Sequence, residues 1–341
     1  MKVTKSRLAL GAAAVGAAGL IGAAVTGVVS VRRWRRRPDP ALGDDFDEPA
    51  GTTHRTVATS DGGEIHVTER GEGRPFLLLH GVTETSVVWH YQFLDLVTAG
   101  YRVVAIDIRG HGHSRAGRDE YTLAAMARDT LEVIEALGLR DAVAVGHSMG
   151  AMVLMQLLAD HPELVPGAIS SLVLVATSAS PILGNGVPAA AAELVRVLTP
   201  VAGRGHVRAS AGVAGRLRPP GDLAAVYCRL AFGSDPSPTH VELLRAMTSA
   251  MPAAVVGQLV TTLLSLDVRQ LLVSITAPTL VVVGNRDLLT PVWHSRYAAR
   301  HIPVAELHVL AGCGHMVMFE RRDQLADLLG DFAERTRPVA P

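Results

Sequence analysis

Short, unbroken apolar runs recur along this chain, separated by stretches with the spacing of helices. The runs at 76–79, 103–106, 142–145, 172–176 and 280–283 are too brief for core helices and show no polar alternation. A strand covered on both faces reads this way, whereas a strand with one wet face alternates. Residues 122–137, 151–159, 292–300 and 323–334 place apolar side chains at helical intervals. Strand and helix in turn specify an α/β fold, with a mostly parallel central sheet and helices on both faces. Upstream, segments 54–58 and 65–69 flank Ser60-Asp61-Gly62-Gly63, which has the residues of a hairpin turn.

One interval breaks this rhythm. Between 178 and 277 no buried-strand run stands out, and the helical stretches 189–198, 239–251 and 255–266 dominate. This interval is expected to be a helical cap over the sheet's C-terminal edge, where open α/β sheets bind ligands. The expected layout is therefore an α/β core from 53–177 and 278–341, interrupted by a cap at 178–277. Residues 38–52, rich in proline and acidic side chains, are expected to form a linker.

Ahead of the linker, residues 8–31 contain no charged side chain. As a helix they would extend about 36 Å, enough to cross a hydrocarbon core of about 30 Å. Region 1–37 is thus expected to be a single-pass membrane anchor with basic flanks. A cleaved secretory signal, leaving a secreted protein, is the alternative, but its apolar core is normally shorter. The arginine pair follows the apolar run rather than preceding it, unlike a twin-arginine signal, and no cysteine stands there for a lipoprotein anchor. Arg32, Arg33, Arg35, Arg36 and Arg37 outnumber Lys2, Lys5 and Arg7, which leans towards a cytoplasmic globular domain.

Lys+Arg and Asp+Glu each number 32, so no bulk field draws the chain to a nucleic acid, and none is expected as a partner. Two cysteines, Cys228 and Cys313, permit at most one disulfide. No Cys/His spacing fits a metal site, so neither a metal nor another cofactor is expected.

Gly146-His147-Ser148-Met149-Gly150 carries the clearest chemical signal. An apolar strand precedes it and a helical stretch follows. Glycines at its ends allow a tight strand-to-helix turn that thrusts the serine into a cleft. At this point the sequence resembles the α/β-hydrolase fold family from about residue 53 to 335, most closely its esterases, monoacylglycerol-lipase-like enzymes and cofactor-free haloperoxidases. The family's chain order is nucleophile, acid, histidine. The matching residues are Ser148, then Asp287 in Val283-Gly284-Asn285-Arg286-Asp287, then His315 in Gly312-Cys313-Gly314-His315. Asp235 and Asp267 also lie between serine and histidine, but neither follows a buried strand, and Ala176-Thr177-Ser178-Ala179 holds no carboxylate. The resemblance implies that backbone N–H groups of Val82, after His80-Gly81, and of Met149 form an oxyanion hole. It also makes Asp107 to Ser114 a structural loop. His111 and His113 in that loop have no third ligand nearby.

These residues point to a serine hydrolase acting on a carboxylic ester. The anchor and the apolar cap favour a lipid-like substrate over other small molecules. Peroxide-dependent haloperoxidase or perhydrolase chemistry and carbon–carbon bond hydrolysis use the same constellation. Epoxide hydrolases and dehalogenases of the fold place an aspartate where Ser148 stands. A membrane-attached binding protein without activity is the reading from another class, and such scaffolds usually lack one of the three side chains.

Overall fold

The computed structural model describes residues 34–181, 225 and 228–338. The expected membrane span at 8–31 and the expected cap helix at 189–198 lie outside these residues. Among the described residues no single helix is long and apolar enough to cross a membrane.

The chain order is β1 (Thr53–Ala58), β2 (Glu64–Arg70), β3 (Pro75–Leu79), α1 (His90–Thr98), β4 (Arg102–Ile106), α2 (Leu123–Ala136), β5 (Ala142–His147), α3 (Met149–Asp160) and β6 (Ile169–Val175). Helices α4 (Pro238–Ala250) and α5 (Ala253–Leu264), in the interval expected to form a cap, follow. Then come β7 (Thr279–Gly284), α6 (Val292–His301), β8 (Ala305–Leu310), the short α7 (Val317–Glu320) and α8 (Arg322–Arg335). The strands form one eight-stranded sheet, ordered β1-β2-β4-β3-β5-β6-β7-β8. β3 to β8 run parallel, while β2 pairs antiparallel with both β1 and β4.

Alternation along β3 shows how the layers are made. Leu77 and Leu79 pack with α2, α3 and α5 on one face, and Phe76 and Leu78 pack with α1, α4 and α8 on the other. All five β3 residues are buried, which is why the sequence shows a continuous apolar run rather than a polar alternation. β1, at the sheet's edge, is mostly exposed and keeps its polar residues.

Residues of the expected linker, and Trp34 in the basic flank before it, lie against this body. Trp34 is buried and its Nε1 donates to Pro236 O at 3.0 Å. Asp39 accepts from Thr239 N at 2.9 Å and Thr239 Oγ1 at 2.7 Å in the first turn of α4. Tyr91 Oη, on α1, donates to Asp44 Oδ2 at 2.5 Å. The parallel strands all end at one edge, and the turns that follow β3, β5, β6, β7 and β8 meet there.

Candidate active site

Ser148 stands between β5 and α3 with φ 50° and ψ −113°, a left-handed backbone that costs a residue with a Cβ. The turn is held from both sides. Ser148 N donates to Val175 O at 2.9 Å, and Thr177 Oγ1 donates to Ser148 O at 2.9 Å. A Cβ on Gly146 would stand 2.4 Å from Ala151 N, and one on Gly150 would stand 2.5 Å from Leu79 O. Only glycine at both positions lets α3 fold back so closely on β5 and β3. Thr83 and Ala176, after β3 and β6, also have positive φ, so backbone strain gathers at this edge.

Asp287 follows β7 and His315 follows β8, and the structure brings them together. His315 Nδ1 lies 2.8 Å from Asp287 Oδ2. Asp287 Oδ1 accepts from the backbone N–H groups of Leu289 and Thr290, each at 2.8 Å, and Thr290 Oγ1 donates to Oδ2 at 2.7 Å. Burial alone would raise the Asp287 carboxyl, but the His315 imidazole and the Thr290 donors hold it below the usual carboxylate value. Burial alone would lower His315, yet the adjacent Asp287 carboxylate raises it above the ordinary histidine value.

A carboxylate accepts only, so Nδ1 of His315 carries the proton and Nε2 presents a lone pair. Ser148, Asp287 and His315 are all buried at the same edge. The expected hydrogen bond between Ser148 Oγ and His315 is not made among the described residues, where the His315 ring bonds only Asp287 Oδ2 and Thr290 Oγ1, both through Nδ1.

The two expected oxyanion donors are also unengaged. Met149 opens α3, so no carbonyl one turn earlier receives its N–H. Val82 N–H meets no acceptor among the described residues. The loop that carries Val82 is braced from behind. Thr83 N donates to His111 Nε2 at 3.3 Å, and Ser86 N donates to Asp107 Oδ1 at 2.8 Å. His111 is therefore occupied as a structural acceptor; burial first, and then the neighbouring His80, push it down to about 3. Cys313 is buried, and burial followed by the Glu320 carboxylate raises its thiol well above the ordinary value, which keeps it protonated.

The cap reaches this edge as well. Ala231 O accepts from His315 N at 2.7 Å, and Thr248 Oγ1, on α4, donates to Thr83 Oγ1 at 3.2 Å. Thr177, Thr290 and Glu84, which contacts the Val82 loop, were not singled out from the sequence. Thr177 and Thr290 are hydroxyl residues near a motif, a signal too common to act on. A glutamate three residues after Gly81 is the one usable clue for Glu84, and its burial is not readable from the sequence.

A family model for the alpha/beta hydrolase fold matches residues 74–322. A bifunctional epoxide hydrolase 2 from Sus scrofa is 35% identical over 135 residues, which is 39% of this chain and 24% of that protein. A non-heme haloperoxidase from Rhodococcus erythropolis is 40% identical over 119 residues, 35% of this chain and 42% of the relative. The chain thus spans less than half the length of these curated relatives. Among solved structures, an esterase, RhEst1, from Rhodococcus sp. ECU1013 superposes with a TM-score of 0.66 at 25% identity, covering 82% of this chain and 98% of that one.

Proposed function

We propose that this chain, which belongs to the alpha/beta hydrolase fold family, hydrolyses carboxylic esters through an acyl-serine intermediate. One observation supports the proposal most: the hydrogen bond between His315 Nδ1 and Asp287 Oδ2, which leaves Nε2 as the acceptor, at the same sheet edge as a strained serine.

His315 takes the Ser148 proton as Oγ attacks the ester carbonyl. Negative charge then develops on the carbonyl oxygen, and the N–H groups of Val82 and Met149 are its donors. His315 returns the proton to the departing alcohol, and water repeats the cycle on the acyl-serine. Asp287 holds the imidazole tautomer and stabilises the imidazolium without taking the proton.

A lipid-like ester suits the apolar cap and a membrane anchor at residues 8–31. In this reading, deletion of residues 1–33 releases the protein from alkaline-washed membranes and preserves turnover of soluble esters. Ser148→Ala lowers turnover of short p-nitrophenyl esters by roughly a millionfold, and a fluorophosphonate probe labels Ser148 alone. Undiminished turnover in that variant refutes the mechanism.

The haloperoxidase relative favours a second reading, in which the acyl-serine is intercepted by hydrogen peroxide to give a peracid. Peracid formation from acetate and peroxide exceeding ester hydrolysis would decide for it. Epoxide opening is disfavoured, because Ser148 stands where that chemistry needs a carboxylate.

A further inference from the structure

Behind the candidate site lies a group of buried histidines whose hydrogen bonds differ in kind. His80 Nδ1 faces the carbonyl of Gly81 at 2.7 Å, and its Nε2 accepts from Ile108 N at 2.9 Å. His111 Nδ1 faces Arg109 O at 3.1 Å, and its Nε2 accepts from Thr83 N. One donor and one acceptor describe a neutral imidazole in each case. His147 is different. Its Nδ1 lies 2.9 Å from Glu84 Oε2 and its Nε2 lies 3.1 Å from the carbonyl oxygen of His315. A carbonyl accepts only. Glu84 Oε2 also accepts from Gly81 N at 2.6 Å, as a carboxylate does. With Glu84 ionised, both ring nitrogens of His147 donate, which an imidazolium does and a neutral ring does not.

We infer that Glu84 and His147 form a buried carboxylate–imidazolium pair that fixes the oxyanion loop, the nucleophile elbow and the histidine loop to one another, as positioning residues for the proposed hydrolysis. The pair touches all three loops. Glu84 grips Gly81 N next to Val82, His147 precedes Ser148 in the chain, and its Nε2 holds the His315 backbone. The His147 ring also lies 4.7 Å from the His315 ring, centroid to centroid. Both side chains are almost fully buried, so each charge depends on the other. A Cβ on Gly81 would stand 2.8 Å from Glu84 Oε2 and 2.9 Å from His147 Nδ1, so the pair occupies the space a side chain would need. Although burial by itself opposes charge on Glu84, the His147 ring keeps the carboxyl below its ordinary value.

Glu84→Gln keeps the shape of the side chain and removes its charge. His147 then has no counter-ion, gives up one ring proton and loses one of its two bonds. A displacement of the oxyanion donors by about 1 Å costs up to 100-fold in rate. The full-length variant is therefore expected to lose about 10- to 100-fold in kcat with KM almost unchanged, and to react with fluorophosphonate more slowly by a similar factor. The charge itself is read by nitrogen NMR on the full chain with labelled histidine side chains. At neutral pH the ring whose signals vanish in His147→Gln should show both nitrogens protonated, and become singly protonated in Glu84→Gln. The inference rests on the hydrolase reading, and the two fail differently. A wild-type chain that neither turns over esters nor reacts with the probe overturns both. A reactive wild type with a singly protonated His147, or a Glu84→Gln variant of unchanged kcat, overturns the pair alone.

Discussion

Asp287→Asn tests the division of labour in the site because the structure dictates how the amide must sit. Two backbone donors, Leu289 N and Thr290 N, converge on Oδ1 at 2.8 Å each. The amide oxygen must occupy that position, since an NH2 group there would face two N–H groups. The amide nitrogen is then forced to the place of Oδ2, 2.8 Å from His315 Nδ1. It donates to Nδ1, which must now accept, so the ring proton moves to Nε2 and faces Ser148 as a donor. The base has lost its lone pair where it needs one. Thr290 Oγ1, which donates to Oδ2 in the native protein, turns to accept from the amide, so no polar group is stranded. Loss of the correct tautomer costs about 10,000-fold in kcat, or about 5.4 kcal/mol at about 1.36 kcal/mol per decade. Folding should be almost untouched. The assay is kcat on p-nitrophenyl butyrate, with a urea unfolding midpoint measured on the same sample. A normally folded variant within about tenfold of the wild-type kcat would show that the His315 tautomer does not set the rate.

The raised value of His315 sets the acid side of the pH profile. Its imidazole serves as base only when neutral, so activity falls as pH drops through a value above the usual 6.5, and the acid limb of kcat/KM has its midpoint there. A midpoint at or below 6.5 contradicts the Asp287 pairing. Arg109 tests the scaffold beneath the loop that follows β4. It is buried, binds both oxygens of Asp129 at 2.6 Å and reaches Asp61 Oδ2 at 3.2 Å. Arg109→Ala strands the buried Asp129 carboxylate, takes the cation from Asp61, which keeps Thr59 Oγ1 and two backbone donors, and should cost about 3–5 kcal/mol in urea unfolding. A loss below about 1 kcal/mol would mean that those carboxylates find water or other partners.

The parts that sequence alone disclosed share a physical cause. β3, β4, β5 and β7 are buried on both faces, so their composition is continuous and their lengths are short. The elbow announces itself because only glycine tolerates the contacts at 146 and 150. Asp287 follows such a strand, β7, whereas β8 before His315 is only partly buried, so His315 is marked by its segment and by the chain order of the resemblance rather than by an apolar run. Elsewhere the cause lay far away in the chain. β6 begins at Ile169, earlier than the apolar run implied; Ser170 Oγ there is satisfied by the buried Arg74 Nη2 at 2.7 Å, while the buried Ser171 Oγ has no partner among the described residues. Nothing near Ser170 marks that partner. Residues 38–52 read as a linker by composition, yet Asp39 accepts from the first turn of α4 and Asp44 accepts from Tyr91. Glu84 meets His147 across 63 positions, and no local pattern reports such a meeting.

The cap's attachment points bear on specificity. A cap that only roofed the cleft would select substrates by shape and leave the rate of chemistry to the core. This one holds the backbone N–H of His315 through Ala231 O and reaches Thr83, next to Val82, through Thr248. In the proposed mechanism the base and the oxyanion loop would thus each be tied to the element that would enclose the acyl chain. Any substrate that shifts the cap moves the reacting groups with it. Binding energy from a remote chain can then be expressed in the transition state as well as in the ground state. For a site built in this way, discrimination among esters of graded length belongs in kcat as much as in KM.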